Sequence, residues 1–471
     1  MPSELPTDNS RRSVLAGASA MLIAGAAPRS AWDKTEADVV VIGAGLSGLN
    51  AALILEAAGL KVIVVEAEPR IGGRLHTLDD LPGRPEAGAI QIGQGYHRME
   101  ALAARFDIAL VPSGADSRDI LYRINGHTLA GRDWVSSPAN HLVGAERAIS
   151  PAGLQPYYWP KLPSLAAPDA WLTADMGRFD MSYGDALAAA GASDEARRLI
   201  AANLNGNGLA SLSLLSVART LAIFRARAGP VRLIAGGSQR LPEAMAAGLK
   251  KPPALRQIVR GISLSKEGVA VALKGGKTIH ARHALCTIPF AAMQGIKIEG
   301  QLPPAIRKAI ATTRYTHASF AYFAARTPFW KQDGLPETLW SDEAMIGRVF
   351  VLGEDPPMLK VWITGVHADA LDAMPDAVAG VAIIAAIATA RPSSRGQLRL
   401  LRRYSWQRSP FARGIYHHIG TGTGRILAGA VRSEGTRLHF AGEHLARGGS
   451  GIEGALESGE RAAARIASLA G

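Results

Sequence analysis

Residues 38–74, DVVVIGAGLSGLNAALILEAAGLKVIVVEAEPRIGGR, constrain the fold more than any other stretch of the chain. The apolar run 39–42 is short and does not alternate, as a parallel strand buried on both faces requires. Gly43, Gly45 and Gly48 follow at GxGxxG spacing, and Leu46, Leu49, Leu53 and Ile54 recur at helical spacing until Gly59 offers a left-handed stop. A second apolar run, 62–65, ends in Glu66. Gly43 suits the tight turn, Gly45 lets the backbone approach a pyrophosphate, and Gly48 lets the helix lie close on the strand. The helix N-terminus adds amide donors and positive dipole. Glu66 can accept hydrogen bonds from a ribose diol, and its charge repels a 2′-phosphate. A lone GxGxxG is weak evidence, but here strand, helix, second strand and terminal acid coincide. By themselves these residues predict a dinucleotide site and leave NAD and FAD equally open.

The chain has 471 residues, enough for two or three domains, and with 48% hydrophobic and 20% charged residues it is globular in composition. The formal charge of +12 is spread among Ala, Asp and Glu, with no basic block interleaved with aromatics, so a nucleic-acid partner is not expected. Cys286 is the only cysteine and sits in an apolar run, which excludes an intrachain disulfide and a cysteine-based metal site. The histidines show no metal spacing, and His417-His418, His439 and His444 are expected to be packed or solvated. Residues 1–31 read as a twin-arginine signal: Ser10-Arg11-Arg12-Ser13-Val14-Leu15, then a weakly apolar run 14–27 too short to span a bilayer. Periplasmic export is the expectation, with no stable membrane span elsewhere.

Beyond Arg74, residues 99–106 read as a helix and 109–111 as a strand. Residues 113–233 read as a mainly helical insertion, with helices at 182–190 and 193–204, each begun by a Ser cap, and at 213–224. A helix is expected at 241–249. Strands are expected at 255–259, 262–264, 269–273, 278–280 and 283–288, then 320–325 and 358–363, and a helix near 377–390. The C-terminal stretch 438–469 reads as strand, glycine-rich loop and long helix.

Four separated stretches resemble the flavin-containing monoamine oxidase family, which includes polyamine and L-amino-acid oxidases. The first is Gly43-x-Gly45-x-x-Gly48 with Glu66, and the second Ile71-Gly72-Gly73-Arg74, where the family sets a loop and a cation against FAD phosphates. The third is Gln257-Ile258-Val259 with 283–289, the valine contacting adenine through its backbone. The fourth is Phe440-Ala441-Gly442-Glu443 continuing through Gly451-Ile452-Glu453-Gly454-Ala455. There the resemblance gives the glutamate the ribityl chain and sets the helix start against the flavin pyrimidine. The resemblance makes the dinucleotide FAD. It implies an α/β fold: a Rossmann-like FAD-binding domain in three pieces (36–112, 234–300 and 405–471), interleaved with an α+β substrate domain (113–233 and 301–404) that carries the helical insertion.

The departures bear on mechanism. Trp406-x-x-x-Pro410-x-x-x-Gly414-Ile415-Tyr416 matches the segment where covalent members tether flavin through a cysteine. Ile415 stands at that position, so FAD is expected to be non-covalent. Tyr416 matches one wall of the family's aromatic pair, while the second wall falls near Gly451 or Ile452, neither aromatic. The lysine that many family oxidases set near flavin N5 falls at Phe320, which points to a dehydrogenase with an acceptor other than oxygen. The arginine that binds an α-carboxylate falls at Gln91, with Arg98 close by, which favours an amine without an α-carboxylate. The implied reaction is oxidation of a C–N bond to an imine by hydride transfer to flavin N5, followed by hydrolysis. Tyr416, Phe320 and Gln91 are the candidate substrate-side residues. The rivals are a same-fold desaturase, porphyrinogen oxidase or L-amino-acid oxidase, or a non-catalytic exported FAD-binding protein. A small amine and either oxygen or another electron acceptor are the expected partners, and a homodimer is an admissible assembly.

Overall fold

The computed structural model describes residues 36–93, 95–113, 119–173, 176–226 and 229–470. The twin-arginine stretch lies outside them. The strand Ala37–Ile42 is buried on both faces. Val39 and Val41 enter one core with the helices Leu46–Ala57 and Gly451–Ala470; Val40 and Ile42 enter a second core with the helix Gly424–Arg432. This strand pairs in parallel with Val62–Val65 on one side and Thr278–Cys286 on the other. The sheet continues antiparallel through Val269–Leu273 and Val259–Leu264 and ends with Lys297–Glu299. Leu438–Phe440 lies parallel to the last residues of Thr278–Cys286. Three distant stretches therefore meet at the carboxyl ends of the central strands, where open α/β sheets bind ligands.

Two strand expectations need correcting here. Residues 259–264 form one strand, with a register shift between Val259 and Gly261; of the expected strand 255–259 only Val259 belongs to it, and residues 255–256 are a turn with Arg256 at φ 59°. The expected breaks inside 278–288 close into the single strand Thr278–Cys286.

A second sheet runs in the order Leu398–Ser405, Ala318–Ala325, Pro357–Thr364, Arg348–Glu354, Thr338–Ser341, Ile120–Ile124, His127–Ala130. Leu121, Ala321, Phe323, Leu339, Val349 and Val361 on one face pack under the helices Gly365–Asp372 and Asp376–Ala390. The region 113–233 supplies the expected helices Tyr183–Ala189, Asp194–Ala202 and Leu214–Ala226, and Ser182 and Ser193 accept from Asp185 N and Ala196 N at 3.0 and 3.1 Å. It is not wholly helical. Its hairpin Ile120–Ile124/His127–Ala130 turns through Asn125 and Gly126, at φ 50° and 78°, and completes the second sheet.

The helix Gly451–Ala470 lies against Leu46–Ala57 at a distance only small residues permit. A Cβ on Gly459 would come 2.4 Å from Ser47 O, and Asn50 Nδ2 donates to Leu456 O at 3.1 Å. That crossing brings the start of the C-terminal helix alongside the first glycines. No described helix is long and apolar enough to cross a membrane.

Candidate cofactor and substrate cavity

The three fingerprint glycines serve different needs. A Cβ on Gly48 would sit 2.0 Å from Gly43 O, so its absence is a packing requirement. Gly43 turns at φ 107°, and a Cβ there would meet Thr287 Oγ1 at 2.6 Å. Gly45 has an ordinary φ of −78°, and a Cβ there would meet nothing within 4 Å. Neither conformation nor protein packing demands glycine at 45. What adjoins it is a cavity of about 630 Å³. The helix that starts at Leu46 has no side-chain cap on its first amides, which leaves them for a ligand.

The adenosine side is equally prepared. Buried Glu66 accepts from Ala44 N at 2.7 Å through one oxygen and from Glu68 N at 2.8 Å through the other, which leaves lone pairs for further donors. Burial raises its pKa against these bonds. Gly72 N donates to Ala44 O at 2.8 Å, and Gly72 and Gly73 take φ of 98° and 57°. Arg70 clasps this loop, with Nη2 on Gly73 O at 2.6 Å and Nη1 on Ile71 O and Leu75 O, both at 3.2 Å. Glu68 in turn pairs with Arg70 at 2.8 Å. Sequence reasoning passed over Arg70, whose role emerges only once the loop has folded around it.

Arg74 reaches back into the protein. Its Nη1 donates to Glu443 Oε1 at 2.8 Å and to Ile415 O at 3.2 Å. His417 completes the group: its backbone N donates to Glu443 Oε1 at 3.1 Å and its Nδ1 bonds Oε2. The His417 and Arg74 charges hold the buried Glu443 carboxyl well below its usual range despite desolvation. This corrects the expectation for His417, which is neither solvated nor simply packed; His418 is packed, with burial lowering its pKa to about 3. The adjacency of His417 to Tyr416 was the available signal.

Gly43, Gly45, Glu66, Gly73, Arg74, Gln91, Val259, Trp406, Tyr416, Gly442, Glu443 and Ile452 all line the one cavity. Gly48 and Phe320 do not. Phe320 is fully buried behind Trp362, ring centroids 5.2 Å apart, so the substrate-side role expected of it does not fit. Lys360 Nζ lies 4.1 Å from the Phe320 ring centre, but its ammonium donates to Glu86 O at 2.8 Å and it does not line the cavity. Burial lowers its pKa to about 7. Arg98 is engaged by Glu453 and Glu460, at 3.1 and 2.5 Å, and is no carboxylate site. Gly451 and Ile452 offer no aromatic wall. Trp362, unnoticed in the sequence, joins Tyr416 and Trp406 around the cavity, and Trp406 Nε1 is fixed on Ala87 O at 2.6 Å. Tyr416 is pushed up to about 12 by desolvation and stays a neutral phenol. Cys286 is buried with Sγ 3.7 Å from Met293 Sδ, outside the cavity, and the wall beside Tyr416 is Ile415. No cysteine is placed to bond a flavin.

A Rossmann-like sheet, a glycine cradle open at Gly45, and a cavity running on to three aromatic rings together define a dinucleotide-dependent oxidoreductase. The model of the flavin containing amine oxidoreductases matches residues 46–467, and the chain belongs to that family. Its dinucleotide is FAD. A Mycobacterium tuberculosis chain that carries the name flavin-containing monoamine oxidase is 28% identical over 460 residues, covering 92% of this chain and 97% of its own. The L-tryptophan oxidase of Lentzea aerocolonigenes is 25% identical over 479 residues, covering 89% and 96%. Cyclohexylamine oxidase from Brevibacterium oxydans shares the fold, with a TM-score of 0.77 at 24% identity, covering 92% of this chain and 99% of its own.

Proposed function

We propose that this chain oxidises the C–N bond of a small amine without an α-carboxylate to an imine, which water hydrolyses, and passes the electrons to an acceptor other than oxygen. The single observation that carries the reading is the continuity of one cavity from Gly45 and the amides of the helix Leu46–Ala57 to Tyr416, Trp362 and Trp406. FAD bound there supplies the two-electron sink. Gly43, Gly45, Glu66, Gly72, Gly73, Val259, Glu443 and Ile452 are the residues to hold it, without a covalent bond. Trp362, Trp406 and Tyr416 orient the amine and exclude water, and a desolvated ammonium loses its proton more easily. Among the described residues no acid–base pair lines the aromatic end, and the reaction needs none beyond that deprotonation. Gln91 offers an α-carboxylate no charge, and Lys360 turns its ammonium to Glu86 rather than to the cavity.

Residues 10–15 fit twin-arginine export, so the working compartment is the periplasm, and a homodimer is the assembly we expect. The test is an amine panel assayed with an artificial electron acceptor and, separately, at air saturation. Carbonyl product and ammonia with the artificial acceptor, and slow peroxide release in air, are the expected results. Fast peroxide release would overturn the acceptor assignment, and no turnover with any amine would overturn the substrate class.

A further inference from the structure

The cavity-side face of the second sheet carries one cross-strand row: Tyr404, Phe320, Trp362, Arg348, Trp340, Tyr122, each directly opposite the next. Residues paired in this way share a sheet face and touch. The row is aromatic except at Arg348, whose guanidinium carbon lies 5.5 Å from the Trp362 ring centre and 5.7 Å from that of Trp340. Among the described residues only Nη2 is hydrogen-bonded, to Asn203 O at 3.1 Å and Asn205 Oδ1 at 2.7 Å, both neutral acceptors. Among the described residues Arg348 makes no ion pair. It differs in this from Arg98, Arg123, Arg198, Arg391 and Arg403, each of which meets a carboxylate. Arg348 is half-buried, and a guanidinium set among indoles without a counter-ion loses part of its hydration, which lowers its pKa.

Three further facts tie this charge to the cavity. Arg348 does not itself line the cavity, but Trp362, its direct neighbour, does. The indole Nε1 of Trp362, on the ring beside the guanidinium, is buried with no hydrogen-bond partner among the described residues. Arg348 and the cavity-lining Tyr416 each perturb the other's ionisation, so the two are within electrostatic reach. The loop that fixes Nη2 leaves Nη1 and Nε for a planar acceptor, the geometry in which a guanidinium takes a carboxylate.

We infer that the amine oxidised here also bears a carboxylate, remote from the reacting carbon, and that Arg348 binds it as the specificity-determining residue. This rests on the amine-oxidation reading above and adds to it the charge at the substrate's far end. The alternative, a cation stacked between two rings for structure alone, gives the carboxylate no advantage.

The test compares ω-aminocarboxylates of three to eight carbons with alkylamines of equal length, using the FAD-loaded full chain and an artificial acceptor. At one or more lengths the acid should be favoured in kcat/KM by about tenfold or more. In R348M that preference should fall to within about twofold, through KM, with kcat/KM for the alkylamine changed less than about threefold. Equal use of acid and amine by the wild type at every length, or equal loss of both in R348M, overturns the inference. A second arm needs no turnover: hexanoate and hexanol are titrated into the wild-type holoenzyme by calorimetry. Hexanoate binding that is weakened by chloride, with no hexanol binding, supports the site even if every amine fails as substrate, so the two readings fail separately. Hexanoate bound no better than hexanol overturns it. If R348M does not fold, R348K serves: it should keep part of the preference, because a point charge replaces the fork, whereas an unchanged preference overturns the assignment.

Discussion

Gly45 and Gly48 are separated by one helical turn, and substituting each by alanine should produce opposite failures. At Gly45 the backbone is already in the β region, at φ −78° and ψ 175°, and an added methyl meets nothing within 4 Å. Restricting the unfolded chain should stabilise the protein by about 0.4–1 kcal/mol. Alanine is a poorer N-cap than glycine by roughly 0.5–1 kcal/mol, so the two effects nearly cancel. G45A apoprotein should therefore melt within about 1 °C of wild type, while its methyl occupies space that the cofactor backbone contact requires. FAD affinity should fall about tenfold or more, equivalent to ~1.4 kcal/mol. At Gly48 the methyl would stand 2.0 Å from Gly43 O, and the helix must shift to admit it. Overpacking of this kind costs roughly 1–3 kcal/mol, so G48A should lower the melting temperature by about 1–3 °C even without FAD. Thermal unfolding of the apoproteins, with FAD titration followed by flavin fluorescence quenching, reads both quantities. G45A that binds FAD within about twofold of wild type would refute the claim that the space beside Gly45 exists for the cofactor.

Other perturbations address the charged groups. Arg74→Met leaves the buried Glu443 carboxylate with one partner fewer, and unfolding should be easier by about 3–5 kcal/mol, read by urea denaturation. Glu443 titrates lower in the folded chain than in the unfolded chain, so its contribution to stability is present above about pH 4.5 and lost as pH falls through its folded value. E443Q should flatten that acid limb; an unchanged limb would place the acid sensitivity elsewhere. Lys360 shifts stability in the same direction, in a higher pH window. With a folded pKa of about 7, its protonation opposes folding most at low pH, so stability should rise from about pH 7 toward pH 10. K360M should remove that rise and leave the rate of oxygen reoxidation within about threefold of wild type. A large loss of reoxidation in K360M would contradict the position assigned to its ammonium.

The first sheet was legible because its signals are local: a double-sided apolar run, glycines at fixed offsets and a terminal acid all fall within one βαβ unit. Serine caps made the helices Tyr183–Ala189 and Asp194–Ala202 readable for the same reason. The hairpin at residues 120–130 was missed although Asn125-Gly126 between two strand-like runs is a strong turn signal; the helical character of its surroundings masked it. Trp362 and Arg348 were not legible in principle. Their place follows from register across six strands, which no single segment encodes. Phe320 shows the converse. Its place in a strand was read correctly, but which neighbour screens it from the cavity depends on the strand Pro357–Thr364 packed beside it.

The most direct test of the whole assignment is an anaerobic titration of the purified holoprotein with a panel of amines, followed in the visible spectrum, with acid precipitation of the same sample afterwards. Bleaching of an oxidised flavin band by one or more amines, and release of all the flavin into the acid supernatant, are the results expected of a non-covalent FAD held in this cavity. A colourless protein, a flavin that no amine reduces, or flavin retained in the pellet would each contradict it.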